Sequence, residues 1–97
     1  SIRNNNIALR KGSLLEMWQD DKVYAFSRMC PEQEALVVLN NGYDTQQRDI
    51  SLRAESNIKN GTVLRDLLSG EKVVVKDGKI HTQTQGKKAQ IFIVDKG

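Results

Sequence analysis

Turn-forming residues interrupt this chain at short, regular intervals, and this spacing limits its fold more than any other feature. Glycine, asparagine, aspartate and one proline separate runs rich in valine, isoleucine, leucine, threonine and aromatic residues. Short strands spaced about 8–12 residues apart are typical of a β-sandwich or barrel. We therefore predict an all-β fold of about eight strands, either a sandwich or a barrel. The predicted strands lie near 13–19, 22–30, 34–40, 46–53, 63–67, 71–76, 79–84 and 89–95.

The segment from Glu71 to Thr84 contains the clearest local signal. Asp77 and Gly78 suit a two-residue type I′ turn, in which both residues take positive φ. The hairpin register that follows pairs Val75 with Ile80 and places one apolar and one polar face on the two strands. The predicted inner residues are Val73, Val75, Ile80 and Thr82, and the predicted outer ones are Lys72, Val74, Lys76, Lys79, His81 and Gln83.

Two strands carry apolar residues on both faces. The run from Leu36 to Leu39 is unbroken, which predicts a central strand covered on each side. In the last strand Ala89, Ile91 and Ile93 share one face, while Phe92 and Val94 share the other. Since an antiparallel sheet of an isolated sandwich keeps one face in water, one sheet is predicted to pack on something beyond this chain.

Composition excludes several classes of protein. A chain of 97 residues holds one domain, and its net charge of +3 comes from dispersed charges of both signs, which does not favour a nucleic-acid partner. No apolar run approaches the about 20 residues of a membrane helix. The first residues are polar, which leaves no visible signal peptide. The single cysteine excludes an internal disulfide and a cysteine-rich metal site.

No residue of this chain is predicted to be catalytic, and no metal or cofactor is expected. Asp20 and Asp21 read as a solvated turn, and Asp66 as a structural carboxylate that accepts backbone N–H bonds. His81, the only histidine, is expected to be exposed. Cys30 lacks a neighbouring base, so we expect a small half-buried side chain instead of a nucleophile.

Aromatic residues raise the question of carbohydrate binding, because exposed rings stack on the apolar faces of sugars. Trp18 ends a strand and Tyr43 lies in a loop, so these two are the candidate carbohydrate-binding residues. The alternative is that Trp18 and Tyr24 fill the core or a contact with another body. The low aromatic content, 5%, disfavours a dedicated sugar-binding module.

The order of several short motifs resembles the C-terminal β-sandwich domain of the α-amylase family of glycoside hydrolases, in the version found in cyclodextrin glucanotransferases and neopullulanases. The matching segments are Ile7 to Gly12, Val23 to Arg28, Ala35 to Asn40, Gly61 to Gly70 and Ala89 to Ile93. Ile7 stands where the family usually has proline. Together these segments run nearly from end to end of the chain.

With this resemblance the predicted fold is an all-β, antiparallel Greek-key β-sandwich of about eight strands. The resemblance also implies that this chain is non-catalytic and that the catalytic carboxylates of its parent lie on a preceding (β/α)₈ barrel. The parent would hydrolyse or transfer α-glucosidic bonds. Residues 1–12 would then be the junction from that barrel, and 13–97 the C-terminal sandwich. The predicted barrel-facing residues are Ile2, Ile7, Leu9 and Leu14. Because these apolar side chains lack their cover in the isolated chain, we also expect it to self-associate.

Two other functions remain open at this point. The chain would serve as a carbohydrate-binding module if Trp18 and Tyr43 formed an exposed pair that contacts an α-glucan. It would be an interaction sandwich unrelated to glycosidases if its binding surface lay away from the N-terminal junction.

Overall fold

The computed structural model describes residues 5–95, which form a short helix followed by eight strands. Each predicted strand is present, with bounds within two residues of those expected. The elements are α1 (Ile7–Lys11), β1 (Ser13–Gln19), β2 (Val23–Cys30), β3 (Gln33–Asn40), β4 (Gln46–Ser51), β5 (Val63–Asp66), β6 (Lys72–Val74), β7 (Lys79–Thr84) and β8 (Ala89–Val94).

The strands form two antiparallel sheets. The large sheet has the order β1-β2-β3-β8-β5-β6, and the small sheet pairs β4 with β7. The chain crosses between the sheets after β3, β4, β6 and β7, so strands distant in sequence become neighbours. The predicted all-β sandwich is confirmed, and β3, predicted to be central, lies between β2 and β8.

The core fills the space between the two sheets. Alternate residues of each strand point inward, because successive side chains of a strand leave opposite faces. Both sheets contribute, and Ile50 and Ile80 form a directly opposed pair on the small sheet. The buried core residues are Val23, Ala25, Leu36, Val38, Ile50, Leu64, Val75, Ile80 and Phe92.

The predicted hairpin after Glu71 is correct at its turn and wrong beyond it. Asp77 and Gly78 have φ values of 54° and 71°, and Lys76 bridges Lys79 across the turn as expected. However, β6 pairs with β5 in the large sheet, whereas β7 pairs with β4 in the small one. The strands diverge because this lets their inner faces close the core from both sides. The predicted separation of inner and outer residues is still confirmed.

Helix α1 packs on the outer side of the large sheet. Ala8 is fully buried there, and its N–H donates to Gln33 Oε1 at 3.0 Å. Gly12 lets the chain pass close to β2, because a Cβ at this position would lie 2.5 Å from the oxygen of Ala8 and 2.7 Å from the nitrogen of Met29. The Arg28 guanidinium then donates to the carbonyl of Gly12 at 2.9 Å. The junction segment is therefore fixed to the sandwich.

Candidate functional site

The outer face of the large sheet, turned away from the core, is mostly apolar. Strand pairing places Phe26, Val37 and Ile91 in one row across β2, β3 and β8. The next row contains Tyr24, Leu39 and Ala89. We call the following residues the apolar outer face: Tyr24, Phe26, Val37, Leu39, Ile91 and Ile93.

Burial in the isolated chain is incomplete on this face. Val37 is 7% exposed, but the other members are only half-buried. The rings of Tyr24 and Phe26 lie 5.4 Å apart and form a continuous aromatic surface. The outer face of the small sheet differs, since it presents Asp49 and His81 to water. One sheet alone therefore has an apolar exterior, which agrees with the two-sided pattern of β3 and β8.

Three of the four residues predicted to face a barrel lie at one end of this surface. Leu14 is 52% exposed and sits opposite Arg28, on the outer face of β1. Ile7 and Leu9 are half-buried on α1. Ile2 lies outside the described residues.

The sequence prediction omitted the centre of the apolar outer face from that set. Phe26, Leu39 and Ile91 are its central members, and each alternates with core residues along its strand. This alternation is a signal in the sequence, but it does not say which of two apolar faces lies inside.

A groove of about 800 Å³ borders α1 and the apolar outer face. Ile7 and Arg10 line it on the helix side, and Arg65 and Ile93 line it on the sheet side. The groove continues the apolar surface and adds charges of both signs, since Glu32 and Glu34 also line it.

Trp18 is tied into the sandwich by a polar network. Its indole Nε1 donates to Asp20 at 2.6 Å, and the Arg48 guanidinium donates to the same carboxylate at 2.8 Å. Asp20 also accepts from the backbone N–H groups of Lys22 and Val23. The Arg48 guanidinium, with these further donors, holds the pKa of Asp20 well below its usual range. Trp18 itself is half-buried against the core, as the alternative interpretation expected.

Tyr43 is 88% exposed in the loop between β3 and β4. Lys87 Nζ lies 4.5 Å from the centre of its ring and donates to the carbonyl of Asn41 at 2.6 Å. The loop is held against the β7–β8 turn, since a Cβ on Gly86 would lie 2.0 Å from the oxygen of Tyr43. No ring contact between Trp18 and Tyr43 occurs within residues 5–95.

The other candidate groups have structural surroundings. Asp66 is buried and accepts from the N–H groups of Leu68 and Ile91 and from the hydroxyl of Ser69, which confirms its predicted role. Cys30 is half-buried, and His81 is exposed, as expected.

Residues 5–95 form neither a cluster of metal-ligating side chains nor a membrane-spanning helix. Nowhere in that part of the chain do three or more His, Cys, Asp or Glu side chains gather in a group able to hold a metal ion. The same part of the chain contains no helix with the length and apolarity needed to span a membrane.

Comparison with known proteins points to one family. The model of the α-amylase C-terminal domain family matches residues 12–92. The chain is 37% identical over 91 residues to a β/α-amylase of Paenibacillus polymyxa, covering 94% of this chain and 7% of that protein. It is 33% identical over 108 aligned residues to an amylopullulanase of Thermoanaerobacter thermohydrosulfuricus, covering 100% of this chain and again 7% of the relative.

Solved structures show the same fold. An α-amylase of Anoxybacillus superposes with a TM-score of 0.82 at 26% identity, covering 99% of this chain and 21% of that one. The α-amylase of Geobacillus thermoleovorans gives a TM-score of 0.84 at 16% identity, with the same coverage of both chains. The chain therefore spans a small part of each relative, 7% of the two curated enzymes above.

Proposed function

Because the chain belongs to the family of α-amylase C-terminal domains, we propose that it is the non-catalytic accessory domain of an enzyme that acts on α-glucans. In this role it packs on the catalytic (β/α)₈ barrel of its parent and stabilises it. The parent reaction is hydrolysis or transfer at α-glucosidic bonds. The amylases and amylopullulanases among its relatives support this assignment.

The observation that carries the proposal is the apolar outer face beside α1. Half-buried aromatic and aliphatic side chains cover three adjacent strands there, and the helix that leads into the sandwich is clamped to the same side. Transfer of such an apolar surface out of water lowers the free energy. Interfaces between domains of one chain bury roughly 600–1,500 Å², and the face provides a continuous surface for such a contact.

Two of the twelve acidic groups of the chain support an accessory role. Glycoside hydrolysis uses two carboxyl groups across a bound sugar. Asp20 and Asp66 instead accept several hydrogen bonds each from their own chain, which fixes turns. Neither carboxylate is left available for proton transfer.

Association in trans tests the barrel contact. The partner is the barrel of an α-amylase-family enzyme whose own C-terminal domain has been removed, and the readout is titration calorimetry with this chain. We expect saturable binding that a double variant, Phe26→Ser with Ile91→Ser, weakens by at least about tenfold, because two apolar anchors leave the contact. Circular dichroism checks that the variant remains folded.

The matched control for this titration is Leu68→Ser. Leu68 is 52% exposed in the β5–β6 turn and is not a member of the apolar outer face, so binding is expected to stay unchanged. Equal binding by the double variant and by the native chain would contradict the proposed contact.

A second candidate function is direct contact with α-glucan through Tyr43. Its ring is almost fully exposed, and Lys87 restrains one side of it, which leaves an ordered aromatic surface for stacking on a sugar. Trp18 supports the same end of the sandwich through Asp20, the residue of the β1–β2 turn. We expect Tyr43→Ala to abolish shifts of the 40–45 loop amides during titration with maltohexaose, while Tyr24→Ala leaves them intact. Identical shifts in Tyr43→Ala and the native chain would exclude this site.

A further inference from the structure

A second groove opens at one edge of the sandwich, between the β5–β6 turn and the β7–β8 turn. Its volume of about 360 Å³ lies within the range of small-molecule sites, about 300–1,000 Å³. We call it the Gln90 groove, and its principal lining residues are Leu68, Gln83, Gln85, Lys88, Ala89 and Gln90. We propose that the Gln90 groove binds a glucosyl unit of an α-glucan, an assignment of ligand class that rests on the proposed function.

The floor of the groove contains a largely buried glutamine whose amide nitrogen remains accessible. Gln90 is 7% exposed, and its Oε1 accepts the hydroxyl of Thr84 at 2.8 Å. Within residues 5–95 its amide nitrogen donates to no protein group. This nitrogen keeps access to the groove, because the one fully buried side-chain polar atom without a partner within residues 5–95 is Ser27 Oγ. Since Gln90 lines the groove, a hydroxyl oxygen of a ligand bound there can accept hydrogen bonds from the N–H groups of this amide.

Both walls of the groove are held in place before any ligand arrives. On one side the Asp66 carboxylate accepts from Leu68 N at 3.1 Å and from Ser69 Oγ at 2.7 Å, which fixes the turn that carries Leu68. On the other side Lys88 N donates to the carbonyl of Gln85 at 3.1 Å. A site that needs little ordering loses less affinity to conformational entropy.

The chemistry of the lining favours a neutral hydroxylated ligand. The glutamine amides both donate and accept, which matches the hydroxyl groups of a sugar. Leu68 and Ala89 supply apolar contact for the C–H face of a pyranose ring. Asp66, Glu71 and Lys88 also line the groove. The Asp66 carboxylate already accepts hydrogen bonds from Leu68, Ser69 and Ile91, and the opposite charges of Glu71 and Lys88 favour neither an anion nor a cation.

The position of the groove relates it to the second candidate site. The β7–β8 turn forms one wall of the groove, and Lys87 of the same turn lies over the ring of Tyr43. An oligosaccharide that crosses this turn contacts both places. The Gln90 groove therefore extends the surface available to a glucan beyond one exposed ring.

Nuclear magnetic resonance of the ¹⁵N-labelled chain, titrated with maltohexaose, tests the groove directly. We expect shifts of the Gln90 side-chain amide and of the backbone amides of Leu68 and Lys88. Leu68→Ser is expected to weaken this binding by at least about fivefold, because the apolar contact is lost. Leu14→Ser is the matched control, since Leu14 is equally exposed, at 52%, but lies on β1 outside the groove, and the affinity of this variant for maltohexaose is expected to remain native. Gln90→Met, which keeps the volume but removes the amide, is expected to weaken binding as well.

Several outcomes would overturn the groove assignment. Shifts confined to the 40–45 loop would exclude the groove as a binding site and leave Tyr43 as the sugar site. Native affinity in both Leu68→Ser and Gln90→Met, or equal binding of cellohexaose, would also overturn it. An absence of any shift would exclude the groove without touching the accessory role, because association with the barrel is measured separately.

Discussion

Asp20 links the two sheets through a single carboxylate. It lies at the β1–β2 turn of the large sheet, and its partner Arg48 belongs to β4 of the small sheet. The same carboxylate orients Trp18 and closes its own turn through the N–H groups of Lys22 and Val23. Charge-assisted hydrogen bonds of this kind are stronger than neutral ones. Asp20 thus adds a polar connection between the two sheets to the apolar contacts of the core.

Asp20→Asn is expected to lower the free energy of unfolding by about 1–3 kcal/mol near pH 7, because the ion pair with Arg48 is lost. Asp21→Asn, a change at the exposed neighbour, is expected to stay within about 0.5 kcal/mol of the native chain. Urea unfolding followed by tryptophan fluorescence measures both. Equal stability of the two variants would contradict the structural role of Asp20.

The acid dependence of stability has a defined sign. The pKa of Asp20 is depressed in the folded chain by Arg48 and the other donors. The stabilisation from Asp20 is therefore complete above the unfolded carboxyl pKa of about 3.9 and is lost as pH falls toward the folded pKa. Between about pH 5 and pH 2, stability should decline less steeply in Asp20→Asn than in the native chain. A decline of the same slope in both would refute this assignment.

At this scale the sequence predicts contacts that are local and misses those that are distant. The role of Asp66 follows from a turn that begins at that residue, and the structure confirms it. The pairing of Asp20 with Arg48 joins residues 28 positions apart, so no spacing rule indicates it. The role of Gln90 was also missed. Alternation groups it with Phe92 and Val94, but the sequence does not show which of the two faces of β8 lies inside.

At the scale of elements, turn chemistry and strand partners are separate problems. The type I′ turn at Asp77 follows from residue type, since both of its positions take positive φ. Whether β6 then pairs with β7 depends on β4 and β5, which compete as partners and are distant in sequence. The strand bounds were predictable from alternation, whereas the division into sheets of six and two strands was not.

Gly12 joins α1 to the large sheet, and the surrounding backbone leaves no room for a Cβ atom at this position. Gly12→Ala is expected to destabilise the chain by about 1–3 kcal/mol, because the new methyl group meets the backbone of Ala8 and Met29. Lys11→Ala, at the exposed neighbouring position, serves as the control. Thermal unfolding reports the loss, and hydrogen exchange at Ala8 should rise in Gly12→Ala alone. Native exchange at Ala8 in that variant would show that the close approach is not needed for docking of α1.

At the scale of the whole molecule, the isolated chain exposes a surface suited to a partner. We expect reversible self-association through the apolar outer face, with a mean mass from light scattering that rises with concentration. The Phe26→Ser and Ile91→Ser double variant is expected to remain monomeric under the same conditions, because the apolar contact is removed. A native chain that stays monomeric throughout the concentration series would contradict self-association through the apolar outer face.

The account as a whole depends on what covers the apolar outer face in a complete enzyme, and thiol labelling measures this directly. Ile91→Cys, in a Cys30→Ser background, is compared in the isolated chain and in a chimera where this chain replaces the matching segment of the Paenibacillus polymyxa enzyme. Gln47→Cys, on the exposed face of the small sheet, is the reference. We predict that the chimera slows labelling at position 91 by at least about tenfold, because burial against the barrel blocks the reagent, while labelling at position 47 is unchanged. Equal labelling at position 91 in both proteins would contradict the proposed contact with the barrel.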